Sequence, residues 1–121
     1  MANNKKKCFV ICQIGEDNSE ERQHTDDVME YIIKPATDEC GYDAKRSIDL
    51  KLPTTITNEI IIELMEAPLV IADISGRNPN VFYELAIRHF ANKATIQIKN
   101  KSEDIPFDIN DQSTIDLWIA L

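Results

Sequence analysis

The sequence predicts an α/β domain in which helices cover both faces of a five-stranded, mostly parallel sheet. Short apolar runs, such as residues 7–14 (KCFVICQI) and 69–72 (LVIA), alternate with longer segments whose apolar residues recur at helical spacing. Continuous apolar runs are typical of strands that are covered on both faces, and their alternation with helices favours parallel pairing. We therefore predict a doubly wound, flavodoxin-like domain with strand order 2-1-3-4-5.

The first strand and the first helix follow from the run at residues 7–14 and the polar turn behind it. Gly15 comes directly after the strand, where the backbone must turn. Ser19 is expected to cap the helix, because its hydroxyl can accept a hydrogen bond from an N–H group of the first turn. Pro35 should kink this helix or end its regular part, and Gly41 suits the position after its end.

The next elements are a polar strand, a second helix and two further strands. Residues 42–47 (YDAKRS) predict a strand polar enough to lie at the sheet edge. Thr54 or Thr55 is expected to cap a helix. Residues 94–98 (ATIQI) predict a fourth strand, and residues 114–121 (TIDLWIAL) predict a last strand or a short helix. The apolar positions of the second helix are Ile56, Ile60, Ile61, Leu64 and Met65.

Residues 69–90 run from a buried strand through a polar turn into an amphipathic helix. Asp73 ends the strand, Asn78 is expected to cap the helix, and Pro79 suits its first position, where a missing N–H group costs nothing. Helical spacing predicts a broad inward face made of Val81, Phe82, Leu85, Ala86, His89 and Phe90.

Glu84 lies near the start of that helix, beside the carboxyl end of the third strand. Ligands of open α/β sheets bind at this edge, so a carboxylate held there is a candidate for chemistry. The alternative is structural. Glu84 and Arg88 are four residues apart with the glutamate first, which also fits an exposed ion pair. Spacing alone leaves both interpretations open.

Composition and charge exclude several classes of protein. A length of 121 residues fits one domain, residues 1–121, with a core of its own. The net charge of −8 repels phosphate backbones, so we expect no nucleic-acid partner. Three cysteines without zinc-type spacing predict neither a disulfide framework nor a metal site. With no signal peptide and no stretch of membrane-spanning length, we expect a cytoplasmic protein without a membrane partner.

Three segments of the chain resemble bacterial TIR-like nucleotide-binding domains related to nucleoside 2-deoxyribosyltransferases. They are FVICQIGEDNSEER, TNEIIIELMEAPLVIADISG and above all ADISGRNPNVFYELAIRH, and the similarity covers roughly residues 7–98. The resemblance implies that Glu84 acts at the anomeric carbon of a nucleoside or of the nicotinamide ribose of NAD. It also implies that Gly15, Asp73 and Ser75 border the nucleotide. Ala86 departs from the glycine that commonly follows the Glu-Leu pair in this group.

Glycosidic-bond chemistry suits these residues, because a carboxylate can stabilise or trap the oxocarbenium-like cation that forms. Asp73 is the candidate for a second, proton-donating acid, although a structural Asx turn fits it equally well. Arg22, Arg77 and Arg88 are candidates for phosphate contacts or for solvated surface. We expect His24 on a helix surface and His89 at the core edge. The predicted substrate-binding residues are Gly15, Ser19, Arg22, Ser75, Gly76, Arg77 and Asn80.

Three functions remain open at this point. The first is cleavage of an N-glycosidic bond in NAD or a related nucleotide, and the second is a nucleoside 2-deoxyribosyltransferase or deoxynucleotide N-hydrolase. The third is a non-catalytic module that senses a nucleotide or assembles with partners. We expect no cofactor, since NAD would be a substrate, and we expect a homo-oligomer. The apolar residues predicted to form its interface are Ile115, Leu117, Trp118, Ile119 and Leu121.

Overall fold

A computed structural model describes residues 4–53 and 55–103, together with the backbone of residues 114–117. Its centre is a parallel sheet of the strands β1 (Lys6–Ile11), β2 (Tyr42–Arg46), β3 (Leu69–Asp73) and β4 (Thr95–Asn100). Their order in the sheet is β2-β1-β3-β4. This arrangement confirms the predicted α/β class and the 2-1-3-4 part of the strand order, and it is consistent with a flavodoxin-like fold.

The segment Thr114–Leu117 runs parallel to β4, with Thr114 opposite Gln97 and Leu117 opposite Asn100. The predicted interface of a homo-oligomer, from Ile115 to Leu121, falls on side chains outside the described residues. Among the residues that are described, no helix is long and apolar enough to cross a membrane.

One face of the sheet carries the helices α1 (Glu20–Val28) and α2 (Lys34–Glu39), joined by a π-helical turn (Met29–Ile33). Ser19 caps α1 as predicted, since its Oγ accepts a hydrogen bond from the Arg22 N–H group at 3.1 Å. Pro35 lies just after the π-helical turn. Because proline has no N–H group to donate, the regular hydrogen-bond ladder is interrupted there, as predicted.

The opposite face carries α3 (Asn58–Glu66) and α4 (Pro79–Ala91). The cap of α4 is confirmed, because the Asn78 side chain accepts from the N–H group of Asn80 at 2.8 Å. The predicted cap of α3 at Thr54 or Thr55 is wrong. Thr57 caps this helix by accepting from the Ile60 N–H group at 3.4 Å, so Thr55 and Ile56 belong to the preceding loop.

Strand β1 alternates between the two cores of the domain. Its residues Cys8 and Val10 face α1, whereas Phe9 and Ile11 face α3 and α4. The strand ends at Ile11, three residues earlier than the apolar run predicts. An apolar run cannot distinguish a strand from a buried loop, and the residues after Ile11 form part of a cavity wall described below.

Arg88 corrects two predictions about α4. It is fully buried, and its guanidinium donates to Leu64 O at 3.0 Å, to Ala94 O at 2.8 Å and to Thr95 Oγ1 at 3.2 Å. Arg88 is therefore neither the exposed partner of Glu84 nor a phosphate contact. Its inward position also rotates the buried stripe of α4 to Val81, Leu85 and Arg88, which leaves Ala86 and Phe90 exposed.

Candidate functional site

A cavity of about 460 Å³ opens at the carboxyl edge of the sheet, between the end of β1 and the helices α3 and α4. This is the edge at which open α/β sheets bind ligands. Its wall comes from the ends of β1 and β2, the loop before α3, and the first turns of α3 and α4. The lining residues are Cys12, Gln13, Ile14, Gly15, Ser47, Thr55, Ile56, Ile60, Asn78, Asn80 and Glu84.

Glu84 is the acidic residue among those that line the cavity. Burial raises the pKa of its carboxyl from 4.5 to about 7. No hydrogen bond or ion pair of the described residues involves this carboxyl. No such contact therefore stabilises its ionised form and lowers its pKa. A partly buried carboxyl without a partner that faces a cavity is the arrangement expected of a reactive acid or base rather than a structural one.

Local packing explains how Glu84 is held at the cavity. Val81 and Leu85 are buried against the core and fix the rotation of α4, while the cap at Asn78 fixes its start. Glu84 lies between these anchors along the helix and is left at the cavity wall. Asn80 is four residues earlier, on the same side of α4, so its amide and the Glu84 carboxyl are neighbours on one surface.

Two glycines shape the turns around the cavity. Gly15 has φ +67, and a Cβ added there would lie 2.6 Å from Ser19 Oγ. Gly76 has φ +83, and an added Cβ would lie 2.8 Å from Nε2 of Gln13. Glycine is therefore favoured at both positions, because a side chain would be strained at this φ and its Cβ would push a neighbouring group aside.

The wall of the cavity combines polar and apolar side chains. The end of β1 and the segment leading from β3 into α4 contribute Gln13, Asn78, Asn80 and Glu84. The apolar side chains include Ile14 after β1, Ile56 before α3 and Ile60 within α3. The hydroxyls of Ser47 and Thr55 add polar groups to the wall. Neither lysine nor arginine is found among these lining residues, so the phosphate groups of a nucleotide would lie outside the described wall.

Asp73 and His24 form a separate cluster on the α1 face of the sheet. Asp73 is 3% exposed, and its Oδ2 lies 2.8 Å from His24 Nε2. Its Oδ1 accepts a hydrogen bond from the Ser75 N–H group at 3.0 Å, which is the Asx turn considered above. The hydrogen bond with Asp73 raises the pKa of His24, against the opposing effect of burial. His24 is only 5% exposed, so the prediction that it lies on a helix surface is wrong.

The turn after β3 is also tied to the end of β4. Ser75 is buried, and its Oγ accepts from the Asn100 N–H group at 2.9 Å. The N–H group of Gly76 donates to the Glu103 carboxylate at 2.8 Å, and Asn100 Nδ2 donates to the same carboxylate at 3.0 Å. Ser75 and Gly76 therefore brace this turn and do not line the cavity.

The two arginines predicted to bind substrate are not among the residues that line the cavity. Arg22 braces the turn between β1 and α1, donating to Ile14 O at 3.0 Å, to Gly15 O at 3.2 Å and to the Asp17 carboxylate at 2.9 Å. Ser19 is occupied as the cap of α1. Arg77 is exposed in the turn Ser75–Arg77, with φ 54.

Of the predicted site residues, the cavity brings together Gly15, Asn80 and Glu84. Sequence reasoning missed Gln13 and Ser47, although Ser47 comes directly after β2 and Gln13 comes two residues after β1. Applying the rule about carboxyl ends to β1 and β2, and not only to β3, could have identified them. Thr55 and Ile56 could not be found in this way, because the start of α3 was misplaced.

Among the described residues, no group of three or more histidine, cysteine, aspartate or glutamate side chains could hold a metal ion. No protein-family model matches the chain, and no curated protein sequence matches it. The functional argument therefore rests on the site itself.

Proposed function

We propose that this protein binds a nucleotide or nucleoside and cleaves its N-glycosidic bond, with Glu84 acting at the anomeric carbon. The proposed substrate is NAD or a related nucleotide, which makes the chain a hydrolase of the NADase type. The proposal includes a TIR-like domain related to nucleoside 2-deoxyribosyltransferases, in which Thr114–Leu117 is the fifth strand of a 2-1-3-4-5 sheet.

The observation that carries the proposal is the partnerless Glu84 carboxyl in the wall of a 460 Å³ cavity. When the bond between C1′ and the base nitrogen breaks, its electron pair leaves with the base and positive charge develops on the sugar. An ionised Glu84 next to that carbon stabilises the charge or adds to it covalently. Water then adds to C1′ and loses a proton, which completes hydrolysis; where Glu84 has added to C1′, the water displaces the carboxylate, which leaves with the electron pair of that bond.

A cationic leaving group fits this site best. Burial disfavours the ionised form of Glu84, and a positively charged nicotinamide ring nearby would restore it by attraction. Nicotinamide also leaves as a neutral molecule without being protonated, so no second acid is needed. The described wall of the cavity contains no second carboxyl, since both oxygens of Asp73 are bonded on the other face.

The deoxyribosyltransferase or deoxynucleotide hydrolase is the second candidate, and one observation favours it. With a pKa of about 7, a large fraction of Glu84 is protonated at neutral pH and could donate that proton to a neutral base. The two candidates predict opposite pH profiles. Release of nicotinamide should rise as Glu84 ionises near pH 7, whereas release of a neutral base should fall.

The test is to incubate the purified protein separately with NAD and with deoxynucleosides, and to measure released base between pH 5 and 9. Nicotinamide release that increases with pH supports the proposal. Exchange of labelled adenine between deoxynucleosides, without any release from NAD, would replace it by the transferase. Ligand binding without any base release would contradict both enzymes and favour the non-catalytic sensor.

We also propose that the protein is a homo-oligomer. The support from the described residues is the outer surface of α4, where Tyr83 is 62% exposed and Phe90 is 87% exposed. Exposed aromatic groups of this size often mark contacts between proteins. Light scattering at tens of micromolar tests this, and a strictly monomeric mass would contradict it.

A further inference from the structure

Gln13 is a polar residue in the cavity wall that the proposed chemistry does not use. It follows β1 by two residues and is half-buried. Its amide lies over the backbone of Gly76, since a Cβ added to that glycine would come within 2.8 Å of Nε2 and 3.0 Å of Oε1. Gln13 is thus positioned by the turn that leads into α4.

The Gln13 amide has hydrogen-bonding capacity to spare. None of the side-chain hydrogen bonds of the described residues involves it, in contrast to Asn78, whose Oδ1 accepts from two N–H groups of α4. A primary amide offers two donors and an acceptor. In a half-buried position at the cavity wall, hydroxyl groups of a ligand can satisfy them.

Gln13 lines the same cavity as the reactive carboxyl. Its neighbour Cys12 lines this cavity too, and burial raises the pKa of its thiol to about 12, with smaller raising contributions from the charges of Asp73 and Glu84. The end of β1 and the Glu84 side chain therefore belong to one cavity wall. A sugar bound in a cavity of about 460 Å³ can contact both.

These placements indicate which part of a ligand meets Gln13. If Glu84 acts at the anomeric carbon, the sugar lies beside Glu84, and the rest of the wall, which includes Ile56 and Ile60, is left for the base. The hydroxyl on the carbon next to the anomeric carbon is the 2′-hydroxyl. We infer that Gln13 hydrogen-bonds the 2′-hydroxyl and makes the site selective for ribosides over 2′-deoxyribosides. This inference rests on the proposed function, because it takes the position of the sugar from the role of Glu84.

The expected selectivity follows from the group left unpaired when the hydroxyl is missing. One hydrogen bond of this kind corresponds to roughly a tenfold difference in affinity, and a fully buried amide would give more. Gln13→Met keeps the length of the side chain but removes both donor and acceptor. It should therefore weaken binding of ribosides and leave binding of 2′-deoxyribosides nearly unchanged.

The experiment measures equilibrium binding in the Glu84→Gln background, so that no probe is consumed. The probes are adenosine and nicotinamide riboside, each with its 2′-deoxy and 3′-deoxy counterparts. We expect at least one riboside to bind about tenfold more tightly than its 2′-deoxy counterpart, and Gln13→Met to reduce that ratio to about one. Gln23→Met, at an exposed glutamine of α1, is the matched control and should preserve the ratio.

Three results would overturn the inference: a ratio that Gln13→Met leaves unchanged, a ratio that appears only against the 3′-deoxy probe, or no binding of either riboside. Gln13→Asn, which keeps the amide but shortens its reach, provides a second variant if the methionine variant does not fold, and it should also lower the ratio. If ribosides bind about tenfold more tightly than their 2′-deoxy counterparts but the unmodified protein releases no base, the role of Gln13 is supported and the proposed cleavage is contradicted. Cleavage at equal rates for ribosides and 2′-deoxyribosides would contradict Gln13 alone.

Discussion

Two carboxyls lie near the carboxyl edge of the same sheet, Glu84 on one face and Asp73 on the other, and their surroundings differ. Both oxygens of Asp73 are bonded, one to His24 and one to the Ser75 N–H group, and the side chain is buried. Glu84 faces a cavity, has no partner among the described residues, and has a raised pKa. Both carboxyls therefore lie at the same edge of the sheet, but only Asp73 has partners. The partners make Asp73 a structural carboxyl, and their absence makes Glu84 the candidate for chemistry.

The largest effect is expected from removing the charge of Glu84. Glu84→Gln should lower base release at least about 100-fold, because an amide of the same shape can neither stabilise a cation nor attack carbon. Asp73→Asn should retain most of the rate, since an amide can still accept from Ser75 and donate to His24. Steady-state release of nicotinamide from NAD measures both, with Glu66→Gln on the exposed side of α3 as control. Equal losses of rate in Glu84→Gln and Asp73→Asn would contradict the different roles of the two carboxyls.

The free energy of unfolding should depend more on Asp73 than on Glu84, the reverse of the order expected for activity. Asp73→Ala removes the carboxylate that two buried groups share, which leaves His24 and the Ser75 N–H group without this partner, and should lower the free energy of unfolding by about 3 kcal/mol. Chemical denaturation measures this loss. Asp43→Ala, at an exposed aspartate of β2, should change it by less than about 0.5 kcal/mol. A small effect at Asp73 would mean that its contacts do not hold the two elements together.

The pKa of Glu84 predicts an unusual dependence of stability on pH. A carboxyl whose pKa is higher in the folded state binds protons preferentially when folded, so the protein loses stability as pH rises from about 4.5 to about 7. Glu84→Gln lacks this ionisation and should be more stable than the unmodified protein above pH 8, by on the order of 2 kcal/mol. Melting temperatures of both proteins between pH 5 and 9 test this. Curves that differ by the same amount at every pH would contradict the raised pKa.

The smallest expected effect concerns Gly76, which lies in the turn between Asp73 and the helix that carries Glu84. Gly76→Ala should cost about 1 kcal/mol of stability, because its φ of +83 disfavours a side chain, and it should also push the Gln13 amide away from the turn. Gly41→Ala is a close control: its φ is +81, but nothing lies within 4 Å of the added Cβ. Both variants should lose similar stability, and only Gly76→Ala should weaken binding of ribosides. Equal binding by the two variants would show that the turn does not position Gln13.

Much of the fold could be predicted from local patterns. Apolar runs identified the parallel strands, and the caps at Ser19 and Asn78 were found because capping is a contact between residues that are close in sequence. The start of α3 was missed, since three threonines near its beginning can all act as caps. The inward face of α4 was misjudged because a buried arginine cannot be foreseen from helical spacing: its acceptors, Leu64 O and Ala94 O, lie on other elements.

The sequence by itself determined the alternation of strands and helices, the order of the first four strands, and the placement of Glu84 at the carboxyl edge of the sheet. These follow from hydrophobic periodicity and from the rules that connect neighbouring elements. Only the tertiary structure decided which face each side chain occupies. Asp73 and Glu84 are 11 residues apart in sequence, yet the alternation of a strand sends one to His24 while the packing of α4 leaves the other at the cavity. The pairing of a side chain depends on contacts with distant elements, and for that reason the state of these two carboxyls could not be read from local pattern.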